Sequence, residues 1–327
     1  MRALLHVFLS CCLMSMSLMT HADEARILLE RMDGAAKQLN YEGVFSYRSG
    51  KKMQSIQIIH RANEQGEIER LVSLNGVARE VIRNNEMMTC VYPEGKSVQP
   101  NHRPLGRGFP SDFLNRLSLA SAYYQLSLGR EERIAGHDTL ELKVVPVDNY
   151  RYGYHLWVDK KSDLLLQSDL VDDQNEVLET IAFSSVEMGQ DIAEQSLQAQ
   201  SKGNQMTWNR AERVMATKST AERDKSTWNI GWMPEGFALL AQQNRLKVKN
   251  GATIEQHVYS DGLNSISIFI EKIRAQHRHL RGGSKMGATN AFGTIINSHF
   301  VTIVGEVPER TVEKVGNSIQ YIEREEQ

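Results

Sequence analysis

Residues 42–76 read EGVFSYRSGKKMQSIQIIHRANEQGEIERLVSLNG, and this stretch decides the fold of the N-terminal half. Apolar and β-branched residues alternate with polar ones in three short runs, and each run ends at a Gly or an Asn. This pattern is typical of half-buried strands joined by tight turns. Two runs of the same kind follow at once, AREVIRNN at 78–85 and EMMTCVYPEG at 86–95. The sequence therefore predicts an antiparallel meander of five strands.

Helical periodicity flanks the meander on both sides. Apolar residues recur every three or four positions in DEARILLERMDGAAKQL (23–39) and in SDFLNRLSLASAYYQL (111–126), as on one face of a helix. Strand patterns then resume in four segments, which are GHDTLELKVVPVD, YGYHLWVDKKSD, LLLQSDLVDD and VLETIAFSSVEMG. We expect an antiparallel sheet with few helices.

The chain becomes polar and poor in aromatic residues between Gln190 and Lys225, as is typical of a linker. Strand patterns return beyond it. From Thr311 onward, a helical apolar stripe is formed by Val312, Val315, Ile319 and Ile322. We therefore predict a domain at 23–190, a linker at 191–225 and a smaller α+β domain at 226–327.

The segment YSDGLNSISIFIE (259–271) of the smaller domain allows two interpretations. Ser260 and Asp261 could carry out chemistry, or they could form a turn in front of a strand. Asp-Gly is a strong turn signal, and isoleucines alternate with other residues after it. A nucleophilic serine would need a base and an oxyanion site, and no G-x-S-x-G elbow occurs in the sequence. The pattern favours the turn.

The first 22 residues predict a secretory signal peptide. Arg2 precedes an apolar run, and Thr20-His21-Ala22 precede two acidic residues, which is the layout of a cleaved signal. A membrane anchor is the alternative, but the run is short and interrupted by Ser and Thr. Loss of this segment would leave Cys90 as the single cysteine, which we expect to be buried and without an intrachain bridge.

Charge and composition exclude several classes of function. The net charge is −2, which argues against general binding of nucleic acids. His277 and His279 lie two positions apart, but no third ligand is close in sequence, so we predict no metal site. We also predict no catalytic residues and no cofactor. Basic side chains in two predicted loops suit the binding of phosphate or carboxylate groups. The alternative is that these loops are solvated and bind nothing specific. The basic residues are Arg103, Arg107, Arg274, Arg278, Arg281 and Lys285.

Apolar residues occupy both faces of the first predicted strands. One face can meet the helices, whereas the other needs a second cover or a ligand. An ordinary core on both faces is the alternative. The candidate residues for lining an apolar cavity are Val44, Phe45, Tyr47, Ile56, Ile58 and Trp157.

Five segments resemble the RseB/MucB family of periplasmic regulators of the sigma-E type envelope stress response. They are GVFSYRSG (43–50), RYGYHLWVDKKSDLLLQS (151–168), WMPEGF (232–237), YSDGLNSISIFIE (259–271) and VTIVGEVP (301–308). The N-terminal half also resembles the lipoprotein carriers LolA and LolB. The resemblance implies an α+β protein with an unclosed antiparallel β-barrel covered by helices, followed by a smaller antiparallel-sheet domain with a helix.

The resemblance also implies a function and its partners. A protein of this family is a negative regulator in the periplasm that binds the periplasmic region of a membrane-spanning anti-sigma factor. It shields that factor from the site-one protease and is released by lipopolysaccharide or lipid-bearing ligands. A periplasmic lipid or lipoprotein carrier is the alternative function. Whether the protein forms a homo-oligomer is left open at this point. The candidates are Arg103, Arg107, Arg278 and Arg281 for an anionic head group, and Tyr259, Asp261, Phe269 and Glu306 for the protein partner.

Overall fold

The computed structural model describes residues 23–92, 109–201, 203–209, 227–246, 253–273 and 281–322. Most of the N-terminal part forms one open antiparallel sheet. Its strands are β1 Tyr41–Ser49, β2 Lys52–Asn63, β3 Gly66–Ser73, β4 Glu80–Asn84, β5 Met87–Tyr92, β6 Tyr124–Ile134, β7 His137–Pro146, β8 Gly153–Asp159, β9 Leu165–Val171, β10 Val177–Met188 and β11 Asn204–Asn209. They are ordered β11-β5-β4-β3-β2-β1-β10-β9-β8-β7-β6, so β11 and β6 are the edges. The predicted meander is confirmed as β1 to β5.

Two helices cover one face of this sheet, which we call the inner face. Helix α1 spans residues 23–38, and helix α2 spans Ser111–Ala120. Their apolar residues share one core with alternate residues of the strands, because side chains of a strand alternate between its two faces. The core includes Leu28, Met32, Phe45, Ile56, Ile58, Leu114, Leu117 and Phe183. The predicted α+β class, with an open sheet covered by helices, is confirmed.

Helix α2 is shorter than the sequence predicted. It ends at Ala120, a 3-10 turn follows over Ser121–Tyr123, and Tyr124 begins β6. The helical periodicity continues to Leu126, but this stretch pairs with β7 from Tyr124 onward, where Tyr124 lies opposite Pro146. Pairing with β7, the next strand of the chain, thus outweighs the local helical pattern.

Part of the predicted linker packs on the N-terminal sheet. A 3-10 turn at Glu194–Leu197 is followed by β11, which pairs with β5. Ile192 and Leu197 are buried against Ile59, on the face opposite the helices. The few apolar residues of this polar stretch are sufficient to anchor it, and edge strand β5 supplies free backbone partners.

A second, smaller sheet forms the C-terminal part. Its strands are β13 Ala238–Leu246, β14 Thr253–Ser260, β15 Ser265–Lys272, β16 Gly282–Met286, β17 Thr289–Ile296 and β18 His299–Gly305, in the order β13-β14-β15-β18-β17-β16. Helix α3, Glu309–Ser318, packs on β17 and β18. Ile266, Ile268 and Ile270 of β15 are buried in the core of this domain, as their alternation predicted.

The predicted terminal helix ends earlier than its apolar stripe. Val312 and Val315 are fully buried on α3, but Ile319 starts strand β19, Ile319–Tyr321. This strand pairs with β12, Trp228–Ile230, which begins the domain. Ile319 therefore reaches the same core from a strand, and Ile322 lies beyond β19 and is exposed.

Cys90 and the lengths of the helices bear on two further sequence predictions. Cys90 is a free cysteine with 1% of its surface exposed, which confirms the prediction that it is buried. None of the helices in the described ranges is long and apolar enough to cross a membrane.

Candidate functional site

The two sheets meet at a junction that contains a buried ion pair. Arg151 lies just before β8, and its guanidinium Nη1 is 2.9 Å from Asp261 Oδ2 in the turn between β14 and β15. Both side chains are fully buried. Arg151 also pairs with Asp148 at 2.7 Å and donates to the carbonyl oxygen of Glu235 at 2.7 Å. One side chain thus binds both domains.

Asp261 is held by its own turn as well as by Arg151. Its Oδ1 accepts the backbone N–H of Leu263 at 3.0 Å and of Asn264 at 2.7 Å. Gly262 takes φ +105°, a region that suits glycine. The side chain of Leu263 is buried in the core of the N-terminal sheet. The predicted Asp-Gly turn is confirmed, and it also docks one domain on the other.

Tyr124 completes the polar part of the junction. Its hydroxyl accepts from Asn264 Nδ2 at 2.7 Å and donates to Asp261 Oδ2 at 3.4 Å. Burial, reinforced by the charge of Asp261, raises the pKa of the Tyr124 phenol far above its usual value. The hydroxyl therefore stays protonated and remains a donor.

Close packing around Gly236 requires that residue to be glycine. Gly236 has φ +85°, and a Cβ atom there would lie 2.3 Å from the ring of Tyr123. The guanidinium carbon of Arg151 is 5.0 Å from the centre of the same ring and 5.4 Å from that of Phe237. Rings from both domains therefore enclose the cation.

Helix α3 forms a second contact across the junction. Lys314 Nζ donates to the Tyr150 hydroxyl at 2.7 Å and lies 4.1 Å from the centre of the Trp232 ring. Thr311 Oγ1 donates to the carbonyl oxygen of Tyr150 at 2.9 Å. Arg310 forms an exposed ion pair with Asp173. These contacts fix α3 against the loop before β8 and the turn after β9.

A polar cleft of about 340 Å³ opens beside these contacts. Its lining comes from both domains and comprises Tyr152, Asp172, Asp173, Lys285, Asn290, Pro308, Glu309, Arg310 and Glu313. Asn290 is 1% exposed, and its Nδ2 donates to the Tyr152 hydroxyl and to the Val307 carbonyl oxygen. Its Oδ1 has no hydrogen-bond partner. Carboxylates and the cations of Lys285 and Arg310 together line the cleft, so it offers both hydrogen-bond acceptors and donors to a polar ligand.

The residues predicted to line a cavity divide between the two faces of the N-terminal sheet. Phe45, Ile56 and Ile58 are fully buried on the inner face, and half-buried Tyr47 shares that face. The ring of Phe45 lies against those of Phe109 and Phe183, at centre distances of 5.4 and 5.7 Å. In the structure Phe45, Ile56 and Ile58 are therefore packed as core.

Val44 and Trp157 lie on the opposite, outer face. Val44 alternates with Phe45 along β1, and Trp157 lies across from Glu141 and Gln167 in the neighbouring strands. The structure therefore does not bring these two residues together with Phe45. Strand alternation separates Val44 and Phe45 already in the sequence.

The other predicted residues are scattered. Arg281 is exposed before β16, whereas the remaining head-group candidates, Arg103, Arg107 and Arg278, lie outside the described residues, as do His277 and His279. Among the partner candidates, only Asp261 lies in the junction. The others are half-buried: Tyr259 on β14, Phe269 on β15, and Glu306 after β18.

Sequence reasoning missed the central residues of the junction. Arg151 was not a candidate, although the segment DNYRYGY around it combines aromatic residues with an acid three positions before the arginine. That local signal indicates an ion pair with Asp148 and gives no information about Asp261, which lies 110 positions further on.

Fold and junction together define a class of protein. It has an open antiparallel sheet covered by helices, and a smaller sheet domain fixed to it by a buried ion pair. Family models match both parts: residues 24–201 match the MucB/RseB N-terminal domain, and residues 222–320 match the MucB/RseB C-terminal domain.

Individual relatives agree with this assignment. The chain is 31% identical over 309 residues to the sigma factor AlgU regulatory protein MucB of Pseudomonas aeruginosa, with 92% of each chain covered. It is 28% identical over 298 residues to the sigma-E factor regulatory protein RseB of Escherichia coli K12, with 90% of each covered. The solved complex of Pseudomonas aeruginosa MucA and MucB superposes with a TM-score of 0.73 at 27% identity, covering 92% of this chain and all of that one. The chain belongs to the MucB/RseB family.

Proposed function

We propose that this protein is a periplasmic negative regulator of a sigma-E type envelope stress response. It binds the periplasmic region of a membrane-spanning anti-sigma factor and shields that region from site-one proteolysis. Lipopolysaccharide or another lipid-bearing ligand releases it. The observation that carries this proposal is the match of both domains, in order, to a family whose member MucB has been solved together with MucA.

The junction supports a role in holding a protein segment. The polar cleft draws side chains from both domains, so a partner bound there contacts both. Ordering an extended segment costs conformational entropy, and a site between two domains supplies more contacts to offset that cost than one small domain does. We therefore expect both domains to contribute to binding. Tyr259, Phe269 and Glu306 remain candidates for further contacts.

A lipid ligand would have to change the packing of the inner face. Phe45, Ile56 and Ile58 are fully buried by the helices and by one another. An acyl chain can reach them only if α1 or α2 moves. Such a ligand releases the partner only if it binds the moved arrangement more tightly than the packed one, because equal affinity for both arrangements shifts nothing.

The experiment uses the exported chain and the periplasmic segment of the anti-sigma factor from the same organism. We expect a stable complex, slower cleavage of the segment by the site-one protease, and displacement on titration with lipopolysaccharide. Failure to form the complex would contradict the proposal. A complex without displacement would remove only the lipid-sensing part.

The alternative function, a lipid or lipoprotein carrier, has its own readout. Transfer of a labelled acylated peptide between vesicles, without binding of the anti-sigma segment, would favour the carrier. The buried junction is not explained by a carrier, since carriage needs only the N-terminal sheet and its helices.

A further inference from the structure

Three large apolar side chains are exposed together at one end of the N-terminal sheet. Met53 is 61% exposed, Leu74 is 51% exposed and Val77 is 52% exposed. Met53 lies at the start of β2, and the other two lie in the connection between β3 and β4. This connection is bonded to β2, because Leu74 N–H donates to Ser55 O at 2.8 Å and the Asn75 side chain bonds both Ser55 N–H and Met53 O.

Two lysines flank this apolar group. Lys51 and Lys52 occupy the end of the turn between β1 and β2 and the first position of β2, and both are exposed. In the part of the chain that the structure describes, neither has an ion pair. We call Lys51, Lys52, Met53, Leu74 and Val77 the tip surface.

The C-terminal sheet presents the same chemistry beside this end. Lys285 and Met286 are exposed, and Met286 is the most exposed large apolar residue in the described ranges, at 71%. The next residue, Gly287, lies against Ser49, since a Cβ atom there would be 2.9 Å from Ser49 Oγ. Methionine and lysine therefore recur next to the turn that carries the tip surface.

We infer that the tip surface docks on an anionic phospholipid bilayer. Exposed apolar side chains beside Lys51 and Lys52, which have no ion pair among the described residues, match the boundary of such a bilayer, where apolar groups enter below the headgroups and ammonium groups meet the phosphates. A protein partner matches less well, because lysine is depleted from protein–protein interfaces. Lys285, beside the tip surface, also lines the polar cleft, so docking brings that cleft close to the bilayer. The inference itself does not depend on the proposed function.

Flotation of the exported chain with vesicles tests this inference without any protein partner. We expect binding to vesicles of phosphatidylglycerol and phosphatidylethanolamine that falls with added salt, and at least tenfold weaker binding to phosphatidylcholine vesicles. Each lysine at an anionic surface contributes roughly fivefold, so the double variant K51A/K52A should bind roughly twenty-five-fold more weakly. The triple variant M53S/L74S/V77S should lose at least tenfold.

The matched control is Met87→Ser. Met87 is 43% exposed but starts β5, at the opposite end of the sheet, so this variant should bind as the unaltered chain does. Unchanged circular dichroism and melting temperature in all variants exclude misfolding, as expected for side chains that are largely in water. Absence of binding, equal binding to neutral vesicles, unchanged binding of the triple variant, or binding to lipopolysaccharide aggregates alone would each overturn the inference.

Discussion

The buried ion pair between Arg151 and Asp261 provides the sharpest test of how the two domains are joined. Replacing Arg151 by Met keeps most of the side-chain volume and removes the charge. Asp261 then keeps the two N–H donors of its own turn but loses the cation, and its carboxylate stays fully buried. Removing one partner of a buried pair typically costs about 3–5 kcal/mol. A tenfold change in population corresponds to about 1.4 kcal/mol. The state in which the two domains have separated should therefore become roughly a hundredfold to three-thousandfold more populated.

Hydrogen exchange reports this opening directly. The N–H groups of Leu263 and Asn264 are bonded to Asp261, so their protection follows the integrity of the junction. In Arg151→Met we expect both amides to exchange at least a hundredfold faster, while the amides of β15 keep their protection. Calorimetry should show the two domains unfolding in separate transitions.

A matched control and a rescue sharpen the test. Arg310→Ala removes the ion pair with Asp173, which crosses the same junction with its side chains 46% and 38% exposed. Exposed pairs contribute at most about 1 kcal/mol, so exchange in this variant should change by less than tenfold. The double variant R151M/D261N no longer buries an unpaired carboxylate, so it should recover part of the protection. If Arg151→Met leaves the exchange of Leu263 and Asn264 within threefold of the original, the reasoning about the junction is wrong.

Three further predictions concern single residues. Gly236→Ala should loosen the junction and lower the melting temperature, because the new methyl group would overlap the Tyr123 ring at a positive φ; an unchanged thermal scan would contradict this. Phe45→Ala should cost about 3–5 kcal/mol in urea unfolding, as is typical for a fully buried ring, whereas Met87→Ala, at an exposed site, should change stability by less than about 0.5 kcal/mol; equal losses would contradict the assignment of Phe45 to the core. Burial alone would raise the pKa of Glu80, but bonds from Arg70, Gln200 N–H and Ser201 outweigh it and lower the pKa. The stability from Glu80 is therefore present above the carboxyl's unfolded pKa and lost as pH falls through the lower folded value, so urea unfolding of Glu80→Gln should show a smaller loss between neutral and acidic pH than that of the original chain.

The strands could be predicted from the sequence because their signal is local. Alternation of apolar and polar residues defines β1 to β5 and the isoleucines of β15, and Gly or Asn marks their ends. A half-buried strand imposes this period of two wherever it lies in the fold. The Asp261-Gly262 turn was predictable for the same reason, since its hydrogen bonds connect residues at most four positions apart.

The ends of elements and the junction were decided only by the tertiary structure. Tyr124 and Ile319 continue helical patterns, yet each lies in a strand because another strand supplies its backbone partners: the neighbouring β7 for Tyr124 and the distant β12 for Ile319. Asp261 Oδ2 accepts a hydrogen bond from Arg151, which lies 110 positions earlier in the sequence. Strand and helix periodicities relate only residues a few positions apart, so they could not predict this contact. Whether Phe45 lines a cavity or fills a core depends likewise on Phe109 and Phe183, which reach it from other parts of the chain. The sequence by itself determined that β1 to β5 and β15 are strands. Only the folded chain decided which faces meet, because that choice depends on contacts between residues far apart in sequence. The free energy gained from such contacts must exceed the entropy lost when the intervening chain is closed into a loop.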